Sequence, residues 1–292
     1  MNFQASMQGE AKAARSPYAY ACPVCGVSAK PAPCELRGYC LFLCPRCGLR
    51  FAPEAFARTV NYDDAYEAGL YPLQTVAAMR ENEAQGLDGT KMQTYVPFFR
   101  RLQPQSGLST LLDVGCGGGR FCRAAARQGW KTLGIDTSEV ALRFARDVEP
   151  LEYRRLDLGE VPRHYAGFDV VTAFEVLEHL RDIRAFLRLV PPATRRGGYF
   201  FCTVPAWEDP LVRIDHRPEA APPVHLLFFT RPALRTALSA CGFRVLKTGY
   251  IPEAPLDTSP WLWTLKRTVK RAMRRMIDRP RQGIWALAHP TA

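Results

Sequence analysis

Glu175, Glu178 and His179 fall within one stretch, Glu175-Val176-Leu177-Glu178-His179-Leu180. A spacing of i, i+3, i+4 brings the three side chains toward one face of a helical turn. An imidazole beside a carboxylate is suited to moving a proton at neutral pH, because histidine titrates close to that range. More imidazoles follow in Asp215-His216-Arg217 and in Pro223-Val224-His225-Leu226-Leu227-Phe228-Phe229-Thr230. Two carboxylates and two imidazoles can also form an open site for Mg²⁺ or Mn²⁺. Proton transfer and metal binding both stay open on these residue types.

A second set of chemically capable residues lies near the N-terminus. Cys22-Pro23-Val24-Cys25-Gly26 and Cys44-Pro45-Arg46-Cys47-Gly48 are separated by 18 residues. Each C-x2-C-G folds as a tight knuckle that converges two thiolates on one ion. Two knuckles supply the tetrahedral sulfur set that Zn²⁺ prefers, at zinc-ribbon spacing. Redox-active C-x-x-C motifs would instead sit singly at a helix start beside a βαβ pattern. Structural zinc at Cys22, Cys25, Cys44 and Cys47 is therefore expected, with Cys34 and Cys40 as thiols in the intervening hairpin. Zinc would supply folding energy to a module too small for a core of its own.

The third feature is Leu111-Leu112-Asp113-Val114-Gly115-Cys116-Gly117-Gly118-Gly119-Arg120-Phe121. An apolar strand runs into an acidic residue, a glycine-rich turn and a helix start. Such a turn lets a ligand lie against main-chain N–H groups, with a helix N-terminus behind it. Dinucleotide folds carry a turn of this kind too, but with a register that admits a pyrophosphate. Here the register is Asp-x-Gly-x-Gly-x-Gly, and Asp113 would repel a pyrophosphate while suiting the ammonium of an amino acid.

In this register the turn resembles motif I of the class I S-adenosylmethionine-dependent methyltransferases. Asp136, Asp157, the fourth-strand segment 168–180 and the Gly242-Phe243 turn follow in the family's order, so the resemblance covers about 107–250. It implies that Gly115, Cys116, Gly117 and Gly119 approach the cofactor's methionine part, with Asp113 near the ammonium. Asp136 and Thr137 would face the ribose, Asp157 and Leu158 the adenine, and Phe174 and Glu175 the cofactor from the end of the fourth strand. The Glu-x-x-Glu-His segment with the later His-x-x-Phe-x-Thr is similar to two groups. In ubiquinone-type O-methyltransferases and their small-molecule and glycan-modifying relatives, His179 would handle the acceptor with Glu178 or His225. In the small-RNA 3′-terminal 2′-O-methyltransferases, the residues matching Glu175, Glu178, His179 and His225 hold a divalent ion. A non-catalytic scaffold that binds partners through the ribbon and a basic helix is the reading from a different class.

The elements that must position these residues alternate regularly. Strands are expected at 108–114, 130–135, 152–156, 168–174 and 198–205, separated by helices. Thr137-Ser138 cap the helix over 139–147. A helix over 230–241 and a strand from Phe243 resemble the closing antiparallel hairpin of the family. This pattern reads as α/β, a Rossmann-like doubly wound sheet of seven strands. The expected organisation is a disordered tail over 1–17, a zinc ribbon over 18–51 and a helical connector or lid over 52–106. The cofactor domain would span 107–251, with a basic amphipathic segment over 252–292. In the connector, Tyr62, Tyr66 and Tyr71 form either an aromatic face at a domain boundary or a lid over the cofactor.

Composition sets the remaining bounds. Hydrophobic residues at 47% and charged residues at 23% are ordinary for a soluble globular protein. No apolar run reaches the ~18–20 residues needed to cross a bilayer, and the N-terminal stretch has no apolar core of a secretory signal. A cytoplasmic location follows, where thiols stay reduced and ten cysteines need an explanation other than disulfides. The net charge of +11 is local: residues 261–281 hold eight Lys/Arg against Asp278 alone. Trp261, Leu262, Leu265, Val269, Met273, Met276 and Ile277 recur at helical spacing opposite that basic face. Such a helix reads as peripheral contact with the inner face of the membrane. Docking on its own domain, or a nucleic-acid contact, are the alternatives. The acceptor is then a small molecule or a lipid- or glycan-linked one.

Overall fold

The computed structural model describes residues 20–69, 71, 76–84, 95, 109–207, 220–251 and 283–291. The expected tail, the connector beyond residue 84 apart from Tyr95, Asp215-His216-Arg217 and the basic segment 261–281 lie outside them.

The larger unit is a seven-stranded sheet in the order β11-β12-β9-β8-β5-β6-β7. Strand β5 (Ser109–Val114) lies in its interior, flanked by β6 (Trp130–Ile135) and the central β8 (Phe168–Phe174), both parallel to it. Leu111, Leu112, Val170, Val171 and Ala173 are all buried. Strands covered on both faces carry continuous apolar runs rather than alternation, which is how these stretches read in the sequence. The short β7 (Glu152–Arg154) closes one edge beside β6. After β7 the chain returns to lay β8 on the other side of β5, then β9 (Thr194–Pro205) beyond it. Strand order therefore reverses between β5 and β8, where a crevice opens at the carboxyl ends of the strands.

Helices α3 (Arg120–Ala126), α4 (Glu139–Val148), α6 (Ile183–Ala193) and α7 (Arg231–Ala240) pack on the sheet, and the short α5 (Val161–His164) packs against α6. The cap expected for α4 forms, with the Ser138 hydroxyl accepting from Ala141 N–H at 3.1 Å. Ala141, Leu142, Ala145 and Val148 make its buried stripe.

The far edge departs from the sequence-based boundary at 251. Strand β11 (Phe243–Ile251) does not lie against β9; β12 (Gly283–Pro290) is inserted between them, antiparallel to both. Residues 283–290 thus belong to the sheet and not to a separate basic segment. Their run Gly283-Ile284-Trp285-Ala286-Leu287-Ala288 fills the groove, with Ile284, Ala286 and Ala288 buried.

The smaller unit is built from β1 (Tyr20–Ala21), β2 (Ser28–Leu36), β3 (Tyr39–Leu43) and β4 (Arg50–Phe51), all antiparallel. Its fifth strand, β10 (Leu227–Phe228), comes from the larger unit and pairs with β4. One hydrophobic core runs from Leu41, Phe42 and Phe51 into Phe228, Leu234 and Phe200 without a break. Between the units, a 3₁₀ turn (Pro53–Ala57) leads to α1 (Tyr62–Glu67), and α2 (Val76–Ala84) follows. No helix among the described residues is long and apolar enough to cross a membrane.

Candidate active site

The turn after β5 adopts left-handed backbone at Gly115, Gly117 and Gly119, with φ of 69°, 51° and 73°. What the glycines make room for is mostly protein. A Cβ on Gly119 would meet the Tyr153 hydroxyl at 2.5 Å, and one on Gly115 would meet Val176 Cγ2 at 2.6 Å. The N–H groups expected to face a ligand are also largely taken. Gly115 and Cys116 donate to the Ile135 carbonyl at 2.8 and 3.0 Å, and Gly119 donates to Cys116 at 2.9 Å. Gly117 N–H donates to Asp136 Oδ2 at 2.8 Å. The turn is therefore internally satisfied, and what it offers a ligand is close backbone approach. Arg123, fully buried, braces it by donating to the Gly118 carbonyl at 2.7 Å; nothing in the sequence singled that residue out.

Beside the turn lies a cavity of about 230 Å³ lined by Tyr95, Asp113, Gly115, Cys116, Arg120, Phe121, Phe174, Glu175 and Thr203. Asp113 accepts from the Thr172 hydroxyl at 2.7 Å, and burial pushes its carboxyl up to about 7 against that bond. Asp136, at the tip of β6, accepts from Gly117 N–H and from Ser138 N–H at 2.9 Å, one on each oxygen. Its two oxygens carry four lone pairs in all, so the carboxylate retains acceptor capacity for a ligand hydroxyl. Burial raises the pKa of Asp136, while those backbone bonds oppose the shift. Thr137 is exposed beside it. Asp157 is also exposed and caps the turn Leu158–Glu160, accepting from Gly159 N–H at 3.3 Å, while Leu158 is buried in the main core.

The acceptor-side residues separate into two groups, which corrects the expectation of one helical face. Glu175 has φ of +54°, so no helix passes through it. Its Oε1 accepts from the Thr203 hydroxyl at 2.8 Å, and it lines the donor cavity. Glu178 and His179 lie beyond it in a 3₁₀ turn, Leu177–His179. Glu178, His179 and His225 bring ligand-capable atoms within 4.8 Å of one another, and Glu175 is not in that group. Glu178 is completely buried, and its Oε1 lies 3.9 Å from His179 Nε2. His179 Nδ1 is 3.0 Å from the Val224 carbonyl. A carbonyl only accepts, so Nδ1 carries the proton and Nε2 the lone pair of the neutral ring. Burial lowers the His179 pKa and favours that neutral form. The His225 ring stands edge-on to His179 at 4.7 Å between centroids.

Helix α1 stands against His179 on one side and the motif turn on the other. Tyr62 meets the His179 ring edge-on at 6.0 Å, and Tyr71 stacks obliquely on Tyr62 and Tyr66 at 6.2 and 5.3 Å. The Tyr66 hydroxyl reaches within 3.1 Å of where a Gly117 Cβ would stand. Burial, with the Glu178 and Asp136 carboxylates adding to it, raises the Tyr62 pKa. The three tyrosines thus form an aromatic face between His179 and the motif turn. Asp63 holds the helix down, accepting from the Ser138 hydroxyl at 2.7 Å and Val140 N–H at 3.1 Å. Sequence reading missed it, because its partners lie far along the chain.

In the ribbon, Cys22 and Cys47 bring their sulfurs to 3.7 Å and Cys25 and Cys44 to 3.4 Å, all four within 4.8 Å. A tetrahedral ion with Zn–S bonds of 2.3 Å needs sulfurs about 3.8 Å apart, so the set fits. The knuckles are equivalent: Gly26 N–H donates to Cys22 O and Gly48 N–H to Cys44 O. Cys34 and Cys40 stand outside the group.

A family described as "Methyltransferase domain" matches residues 84–248, more than half of the chain. The ubiquinone biosynthesis O-methyltransferase of Acinetobacter baumannii (strain ACICU) is 37% identical over 102 residues, covering 32% of this chain and 43% of that protein. Its counterpart in Methylobacterium sp. (strain 4-46) is 38% identical over 104 residues, or 34% and 41% of the two chains. This chain thus spans less than half the length of the curated relatives it matches. Among solved structures, an S-adenosylmethionine-dependent methyltransferase from Archaeoglobus fulgidus aligns with a TM-score of 0.52 at 20% identity, over 78% of this chain and 99% of that one. A chain from the Haloferax volcanii complex of the Trm112 methyltransferase activator with a methyltransferase gives 0.54 at 17%, over 80% and 98%. With the motif turn, the acidic tip of β6 and the closing hairpin in place, this chain belongs to the methyltransferase-domain family and carries the class I S-adenosylmethionine-dependent fold.

Proposed function

We propose that the chain transfers a methyl group from S-adenosylmethionine to a small-molecule, glycan-linked or quinone-like acceptor. The observation that carries this reading is the pair of buried Glu178 and part-buried His179, with His225 against it, beside a cavity lined by motif-I residues. The donor set suits the cofactor. Asp113 and Glu175 offer carboxylates to an ammonium, and Asp136 keeps lone pairs for a ribose diol. Phe174 and Cys116 supply an apolar wall. Asp157 and Leu158, near the adenine by resemblance, complete the assignment.

The cofactor supplies an already activated methyl group, so the protein chiefly aligns the acceptor and removes its proton. His179 Nε2 holds the free lone pair and takes that proton. Glu178, 3.9 Å away, stabilises the resulting imidazolium. Helix α1, through Tyr62 and Tyr66, covers the reacting atoms and excludes water. Labelled S-adenosylmethionine offered with a metabolite extract from a strain lacking the chain tests this. The expected outcome is label in a species that accumulates unmethylated in that strain; a protein that retains no labelled cofactor sinks the reading.

A second reading rests on a specific observation. Two imidazoles and a carboxylate with ligand atoms within 4.8 Å, one ring donating its other N–H to a backbone carbonyl, form an open divalent-ion site. Nε2 of His179 cannot be both ligand and base. Chelator during turnover separates the two: abolished transfer favours the ion, unchanged transfer the base. The Cys22, Cys25, Cys44 and Cys47 set is proposed to hold structural Zn²⁺. Peripheral membrane contact through 261–281 stays a proposal, tested by liposome sedimentation with and without that segment.

A further inference from the structure

We infer that the four-cysteine ribbon is a positioning device for the acceptor side of the site, so that its metal ion fixes where Glu178, His179 and Tyr62 stand. This rests on the methyltransferase reading above and goes beyond it, because a zinc ribbon could equally be a passive appendage.

Three connections carry the inference. The first is a backbone seam. Cys47 leads directly into β4, β4 pairs with β10, and Ala52 N–H donates to the Leu226 carbonyl at 3.1 Å. Leu226 N–H in turn donates to the Glu178 carbonyl at 2.8 Å. The Glu178 main chain is therefore two backbone hydrogen bonds from Ala52, the residue that follows β4. The second connection is the Val224 carbonyl, which orients the His179 ring from the residues just ahead of β10. The third runs to the lid. Arg181, just past the acceptor turn, donates to the Arg58 carbonyl and, at 3.0 Å, to the Thr59 hydroxyl. Those residues end the 3₁₀ turn after β4 and precede Asn61, the N-cap of α1. Floor and lid of the acceptor space thus hang from the same strand.

The donor side depends on the ribbon less: Tyr66 and Asp63 of α1 touch it from the connector, but its turn is braced from within the sheet. The turn at 115–119 is held by Ile135, Asp136, Arg123 and Tyr153, all within the larger sheet unit. Loss of the ribbon's ion is expected to loosen one half of the site and spare the other.

The test is hydrogen–deuterium exchange on the full-length chain, with bound zinc per chain and retention of labelled S-adenosylmethionine measured in parallel. Chelating the metal from folded protein should speed exchange at 176–180 and 224–229 at least tenfold. Exchange at 113–119 and cofactor affinity should stay within twofold. A second arm keeps the ion and breaks the seam. Leu226→Pro removes the N–H that reaches Glu178, and it should retain zinc yet show the same faster exchange at 176–180. The inference is overturned if zinc leaves and exchange at 176–180 does not change. It is equally overturned if Leu226→Pro exchanges there at the native rate, or if cofactor affinity and exchange at 113–119 collapse together with the acceptor side. Absence of cofactor binding in the untreated protein would instead count against the methyltransferase reading itself.

Discussion

The half proposed to bind the methyl donor and the half proposed to face the acceptor are built in opposite ways. Donor residues come from consecutive strand ends, β5, β6 and β8, and each is braced by neighbours in the same sheet. Acceptor residues come from a turn at 177–179, a loop at 224–225 and a helix at 62–67, and a separate small module ties them together.

The widest separation of the two halves should come from His179→Gln. Loss of a positioned general base typically costs about 10²–10⁴-fold in rate, so transfer of labelled methyl should fall by that order. Cofactor retention should not change, and a parallel loss of both would break the division. The reciprocal variant, Asp136→Ala, should weaken cofactor binding about 10–100-fold, in line with hydrogen bonds to a charged group worth about 1.5–3 kcal/mol. Exchange at 224–229 should be untouched.

A smaller effect follows from Asp113, whose carboxyl burial raises to about 7. Only the carboxylate attracts an ammonium, and its population falls as pH drops below that value. Cofactor affinity should therefore decline from pH 7 toward pH 5, by at most about tenfold per unit. Asp113→Asn should show weaker binding with a flat profile over the same range. The smallest effect belongs to the clasp between lid and sheet. Asp63→Ala loses a cap-like pair of bonds worth about 0.5–1 kcal/mol, and a melting shift of a few degrees or less is expected. If instead Asp63→Ala abolished cofactor retention, the lid would belong to the donor half and the comparison would need redrawing.

The contrast also governs what could be read in the sequence. The strand–turn–helix around Asp113 is legible because its periodicity and an acidic residue ahead of glycines are local signals. The cysteine knuckles were legible for the same reason, being short motifs at fixed spacing. Glu175 was misplaced because one residue's backbone angle decides whether 175–179 is a helix, and side-chain spacing does not report it. Strand β12 was missed because the basic stretch before it masks a short apolar run that pairs only with strands distant in sequence. The seam between β4 and β10 left no trace either, since two-residue strands carry no periodicity.

One pairing in the sheet has a practical corollary. Ile251 and Gly283 lie directly opposite each other where β11 and β12 meet, and Gly283 also faces Pro205 at the carboxyl end of β9. Both ends of the stretch 252–282 are therefore clamped side by side, and joining them takes only a hairpin's worth of chain. Closure entropy changes by only about 0.6 kcal/mol per twofold change in loop length. A variant in which a short turn replaces 252–282 should therefore still close its sheet, which its melting temperature checks.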